Sequence, residues 1–130
     1  MSFITRHSAV FSTAIILLAA SAGSAVAQKR TVLQTIDFPA GYQVLMVTAE
    51  LEPGQCTGRH THPGAESAYV MEGGAVAKFD GKADLILKTG QPLQFAPGEV
   101  HNVCNVGSTH FKALAHYIVE KGKPLATPAP

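Results

Sequence analysis

The chain shows no excess of charge of either sign. Ten Lys and Arg stand against nine Asp and Glu, and the basic residues form no stripe, so the electrostatic footprint of a nucleic-acid binder is missing. Cysteine is scarce. Cys56 and Cys104 are the only two, and neither sits in a CxxC spacing, which argues against zinc-thiolate and thioredoxin-like chemistry. Beyond residue 27 no segment keeps a 3.6-residue apolar period over a helical length, so a helical bundle is not expected. No internal repeat or linker divides the chain, and residues 28–130 suffice for one compact domain.

The first stretch has a different character. Arg6-His7 is followed by the uncharged, apolar or small run Val10 to Ala22, and then by Ala25-Val26-Ala27. This is the three-part layout of a secretory signal peptide, with an apolar run short for a membrane span. The expectation is a signal peptide over residues 1–27, a mature chain from Gln28, and a periplasmic or secreted protein free of the membrane after cleavage. An uncleaved anchor is the alternative. Residues 1–27 carry Arg6 and no acid, so the remainder is balanced in charge, and small molecules or further copies of the chain are the natural partners.

From residue 28 onward, short β-rich runs are broken by Gly, Pro and Asp, the punctuation of an all-β sandwich or small barrel. Strands are expected at Gln43 to Leu51, Cys56 to His62, Glu66 to Glu72, Val76 to Phe79, Ala83 to Leu87, Leu93 to Phe95, His101 to Val106 and Phe111 to Val119. Asp80-Gly81 suits a tight hairpin. Gln28 to Ala40 reads as a strand or an arm. The barrel domain spans 28–120, and the Pro- and Ala-rich residues 121–130 read as a flexible tail.

His60-Thr61-His62 carries the first chemical signal, because residues two apart on a strand project from one face and can meet one ion. Pro63-Gly64 turns the chain, so Glu66 can open the next strand toward the same interior. A cross-strand meeting with His101 would complete a set of three nitrogens and one oxygen, suited to a divalent Fe, Mn, Ni, Cu, Co or Zn ion. Taken singly each of these residues has an ordinary alternative, and His110 and His116 keep it, having no partner at ligand spacing.

The wider pattern resembles the two conserved stretches of the cupin superfamily. Gly54, His60, His62, Glu66 and Gly73 reproduce the spacing of its first motif, and Gly90, Pro97-Gly98, His101 and Asn105 that of the second, with Ala96 standing where Pro is usual. The resemblance spans Leu45 to Val119. It implies a single-domain jelly-roll barrel of the type-2 conserved kind, with His60, His62, Glu66 and His101 as metal ligands and a homodimer as one possible assembly. It also brings position 56 near position 104. Strand alternation opposes a disulfide there, since Cys56 shares parity with His60 while Cys104 is three residues from His101, so a bulge is required.

Two functions follow. The first is a metal-dependent enzyme similar to small cupins that act as dioxygenases or decarboxylases on small organic acids, enols or phenolics. Arg59 could then recruit an anion, and Tyr69, Met71, Phe79 and Phe95 could wall the pocket, although a core or surface role is the more ordinary one for each. The second is a non-catalytic metal- or ligand-binding module of the cell envelope, since no dedicated general base stands out beyond the ligands. Asn105 could bond a ligand or tie down its own loop.

Overall fold

The structure, a computed structural model, describes residues 28–130, so the signal-peptide segment lies outside the described residues. The strands are β1 (Lys29–Ile36), β2 (Tyr42–Leu51), β3 (His60–Thr61), β4 (Ala65–Glu72), β5 (Gly74–Phe79), β6 (Leu85–Lys88), β7 (Pro92–Phe95), β8 (His101–Cys104), β9 (Phe111–Glu120) and β10 (Thr127–Pro128). They form two five-stranded sheets, ordered β1-β2-β9-β4-β7 and β10-β3-β8-β5-β6. Every pairing is antiparallel. This is the all-β jelly roll expected from the sequence.

Alternation drives the packing. On β9, Phe111, Ala113, Ala115, Tyr117 and Val119 are buried while the residues between them are not. The inward row of β4 is Glu66, Ala68 and Val70, and that of β2 is Val47, Ala49 and Leu51. Together with Leu87, Leu93, Phe95 and Val103 these rows make one core between the sheets, and its release from water is the main source of stability. Glu66 therefore occupies a position that the period of its strand assigns to the core.

Pro63-Gly64 makes the turn between His62 and Glu66 under tight steric control. A methyl group on Gly64 would run into the backbone carbonyl oxygen of Ile118 on β9, so glycine is required there for close approach rather than for a special φ. Gly73, at φ +73°, reverses the chain between β4 and β5. The Asp80-Gly81 pair does not form the tight hairpin expected of it. The chain between β5 and β6 runs from Asp80 to Asp84, and β6 begins only at Leu85.

Two features differ from the sequence expectation in ways that matter for the site. Residues 121–130, read as a flexible tail, fold back on the barrel. Thr127 and Pro128 pair with Thr61 and His60, Ala129 N–H donates to the Arg59 carbonyl, and Leu125 packs against the core. Pro- and Ala-rich composition hid this because a two-residue strand has no periodicity to read. The second feature is a disulfide joining Cys56 to Cys104, which settles the opposition of parity in favour of the bulge. His60 faces His101 and Cys56 faces Cys104, so four steps along one strand match three along the other. The extra residue is taken up around Gly58, at φ +77°, while Thr57 Oγ1 accepts from Val103 N–H and Thr57 N–H donates to the Val103 carbonyl.

Asn105 is structural. Fully buried, it donates from Nδ2 to the carbonyls of Leu51 and Thr109 and accepts at Oδ1 from Gly107 N–H.

Two stability outcomes follow. The Cys56→Ser, Cys104→Ser double variant is expected to lose roughly 2–4 kcal/mol in denaturant unfolding, the usual yield of a disulfide closing a loop of this length, and thiol titration of the unreduced, denatured chain should find no free thiol. Gly64→Ala should lower the melting temperature more than Gly81→Ala, because at Gly81 an alanine meets only the strain of its φ of +73° and no neighbouring atom; equal losses at the two positions would contradict the close approach to Ile118.

Candidate metal centre

All four sequence-predicted site residues meet inside the barrel. His60 opens the short β3 and His62 follows it, Glu66 lies on β4 and His101 opens β8, and all four are buried. The ligating nitrogens of His60, His62 and His101 lie within 4.8 Å of one another. His60 Nε2 is 3.2 Å from His62 Nε2, and Glu66 Oε2 is 2.9 Å from His62 Nε2 and 3.9 Å from His101 Nε2.

The outer nitrogens decide what these distances mean. His60 Nδ1 donates to the Gly58 carbonyl at 2.8 Å, His101 Nδ1 to the Glu99 carbonyl at 2.9 Å, and His62 Nδ1 to the Leu125 carbonyl at 2.6 Å. A carbonyl oxygen can only accept, so each Nδ1 carries a proton, the arrangement that leaves Nε2 as the ligating atom of a neutral imidazole. Three Nε2 atoms and a carboxylate oxygen then converge on one point. With neutral imidazoles this is a set of acceptors that a cation in its midst would satisfy. An ion with nitrogen and oxygen ligands at roughly 2.0–2.2 Å needs neighbouring ligand atoms about 3 Å apart, and the His60–His62 and His62–Glu66 separations meet that requirement. The donor set thus fits a divalent transition ion, and the three histidines could hold one.

Surrounding groups hold the set in this state. Burial is the main cause that lowers the pKa of His60 from 6.5 to about 4, and it also lowers that of His101 despite the opposing pull of the Glu99 carbonyl and of Glu66. Both imidazoles are therefore neutral at ordinary pH, as metal binding requires. Tyr117 O–H donates to Glu66 Oε1 at 3.0 Å, turning Oε2 toward the histidines. Burial and the Glu66 charge raise the Tyr117 pKa, so the phenol stays a donor. Phe95 lies flat on the His101 ring, at a centroid distance of 3.9 Å and an interplanar angle of 14°.

Some sequence candidates stand elsewhere. Arg59 is engaged outside the barrel, donating twice to Asp80 at 2.9 and 2.8 Å. Tyr69 and Met71 are half exposed on the outer face of β4. Phe79 packs on Phe95 at 5.6 Å and Phe95 on His101, so these two do form part of the wall. His110 bonds Glu50 and Glu52 at the surface. Three contributors were missed by sequence reasoning: Tyr117, the Leu125 carbonyl, and Arg30, whose Nη2 donates to His60 Nε2 at 3.2 Å. Only Tyr117 left a signal, being a polar-tipped residue on the inward parity of an otherwise apolar strand.

Comparison with known proteins agrees with this fold. The Cupin_2 family, a cupin domain, matches residues 47–117, and the chain belongs to that family. Germin-like protein 1 of Brassica napus is 34% identical over 87 residues, covering 62% of this chain; the match spans 42% of that protein's length, so the chain corresponds to less than half of it. A double-stranded β-helix protein from Klebsiella pneumoniae superposes at a TM-score of 0.65 with 22% identity, covering 83% of this chain and 89% of the other. A predicted oxalate decarboxylase from Thermotoga maritima gives 0.52 with 26% identity, over 72% and 92% of the two chains.

The tail and the protonation states yield two outcomes. Removing residues 121–130 takes away the acceptor of His62 Nδ1 and should weaken metal binding about 10- to 100-fold, as loss of an outer-sphere partner does, measured by competition with a chromophoric chelator. For the metal-free protein, the folded His60 pKa lies below its unfolded value, so its contribution is complete above pH 6.5 and is lost as the pH falls toward about 4. Thermal unfolding should show the melting temperature dropping across that window, and His60→Phe should flatten the drop.

Proposed function

We propose that this chain is an exported metal-dependent cupin enzyme that binds one divalent transition ion with His60, His62, Glu66 and His101 and acts on a small organic molecule. The observation that carries the proposal is the convergence of three histidine Nε2 atoms and one carboxylate oxygen in a buried site, each imidazole held from behind by a backbone carbonyl. Such a bound ion supplies a Lewis acid and, if redox-active, an electron relay. Around it the protein orients Glu66 through Tyr117 and excludes water with Phe95, Leu93, Leu87 and Val103, which line the interior with His60, Glu66 and His101. Three neutral imidazoles and one carboxylate leave positions open to substrate on an octahedral ion. The retained glutamate and the likeness to a predicted oxalate decarboxylase support a dioxygenase- or decarboxylase-like reaction. The apolar run and the small residues before Gln28 support export to the periplasm or beyond.

A second proposal is favoured by one observation. Besides His60, Glu66 and His101, the polar side chains lining the interior are Gln28, Arg30, Thr57 and Tyr117, and none of these supplies a dedicated general base. A non-catalytic module that captures a solute through the ion needs nothing more. Exposed Val32, Leu33 and Ile36 on the edge strand β1 support a homodimer in either case.

Elemental mass spectrometry on residues 28–130, purified without chelating resin, should find about one equivalent of metal, absent from the His60→Ala, His101→Ala double variant. Oxygen-uptake and decarboxylation assays on small organic acids with each metal then separate the two proposals: turnover that depends on metal establishes the enzyme, and a metal-dependent rise in melting temperature without turnover establishes the binding module.

A further inference from the structure

Arg30 is the one interior charge that the metal site leaves unexplained. It projects from the edge strand β1 across from Ala49, which in turn pairs with Ala113 on β9. Both alanines are buried and line the interior. Two methyl side chains in a row leave a channel that a longer pair would close, and the arginine side chain runs through it to place Nη2 at 3.2 Å from His60 Nε2. Among the described residues Arg30 makes no ion pair, and its Nε is shut off from solvent with no hydrogen-bond partner. Neighbouring Lys29, by contrast, turns outward to Glu50.

A partly buried guanidinium without a counter-charge is unfavourable, and an ion beside it makes the imbalance worse. Among the described residues Glu66 is the only carboxylate lining this interior, so a divalent ion together with Arg30 leaves two positive charges uncompensated. The ion and Arg30 also compete for His60 Nε2, and once the lone pair is used by a metal the guanidinium must find another acceptor. A planar fork of N–H donors matches the two oxygens of a carboxylate. The interior cavity of about 30 Å³ has room for such a group, since a single water needs roughly 10–15 Å³.

We infer that Arg30 and the ion together form the binding site for a small carboxylate anion, with the N-terminal strand delivering the residue that selects it. This deepens the metal-dependent function proposed above and rests on it. The substrate or captured solute is then an anion of a few heavy atoms, and a neutral isostere is rejected because it leaves the guanidinium unpaired.

The test uses residues 28–130 loaded with Co²⁺, whose visible spectrum changes when an anion enters its coordination shell, titrated with acetate and with acetamide. Acetate should perturb the wild-type spectrum, and acetamide should not. Arg30→Gln should still bind Co²⁺, at least as tightly as the wild type because a competing donor is gone, yet require more than tenfold more acetate. Arg30→Lys should fall between the two. Equal acetate titrations of the wild type and Arg30→Gln would overturn the inference, and so would loss of Co²⁺ from Arg30→Gln with retention by Arg30→Lys, which would make Arg30 a support for His60 instead. If the wild type takes up no Co²⁺, the metal-site proposal fails on its own. Calorimetry of acetate against the metal-free wild type and Arg30→Gln then decides for Arg30: heat abolished by the substitution upholds an anion site, and its persistence or absence in both overturns it.

Discussion

Four acceptor atoms held face to face inside an apolar barrel are the constraint around which the rest of this structure is arranged. Nothing in the apolar core brings His60 Nε2, His62 Nε2, His101 Nε2 and Glu66 Oε2 together; left to themselves these groups would separate or take up protons. They are kept in place by bonds made behind them. The carbonyls of Gly58, Glu99 and Leu125 each fix one imidazole, and the Tyr117 hydroxyl fixes the carboxylate. Three of these four supports come from outside the regular strands, so the precision of the site depends on loops and on the returning C-terminal segment as much as on the sheets.

The disulfide belongs to the same arrangement. His60 receives its support from Gly58, and Gly58 sits in the bulge that lets Cys56 reach Cys104 while His60 reaches His101. A strictly alternating strand could satisfy one of these pairings but not both. The bulge reconciles them, and the resulting kink brings a carbonyl behind the ring of His60. Bulges beside functional sites commonly re-aim a side chain in this way, and here the covalent bond at one end and the β3–β8 pairing at the other hold the kink in place.

The ligands were legible in the sequence because they lie on a spacing that chemistry and fold both demand: two histidines on one strand face, a glycine-permitted turn, and a carboxylate on the next. The barrel was legible because alternation along β9 and β4 is strict. What could not be read is what arrives through the backbone or from far along the chain. A carbonyl at Leu125 has no side-chain signature, and a two-residue strand at Thr127–Pro128 has no period. Arg30 is one basic residue on an edge strand, indistinguishable in sequence from its outward neighbour Lys29 until the pairing with Ala49 shows which way it points. The disulfide was open for a related reason, since alternation predicts faces and a bulge changes them.

Small residues in the core then acquire a meaning beyond packing. Ala49, Ala68 and Ala113 all line the interior near the ligands, whereas Val47, Val70, Leu51 and Val119 fill the inward rows around them. A core built for stability alone would favour larger side chains at such central positions, because each buried methylene contributes about 0.8 kcal/mol. Alanine there forgoes that gain and leaves room for the arginine to cross the sheet and for a small ligand to sit beside it. The same economy explains why Glu66 and Tyr117 take positions on rows otherwise apolar: each is costly to bury alone, but hydrogen-bonded to one another across β4 and β9 they satisfy their polar atoms and leave one carboxylate oxygen facing inward. Stability is thus given up locally, at positions that converge on one point, and recovered in the surrounding rows, which is the pattern expected of a barrel whose interior is a binding site.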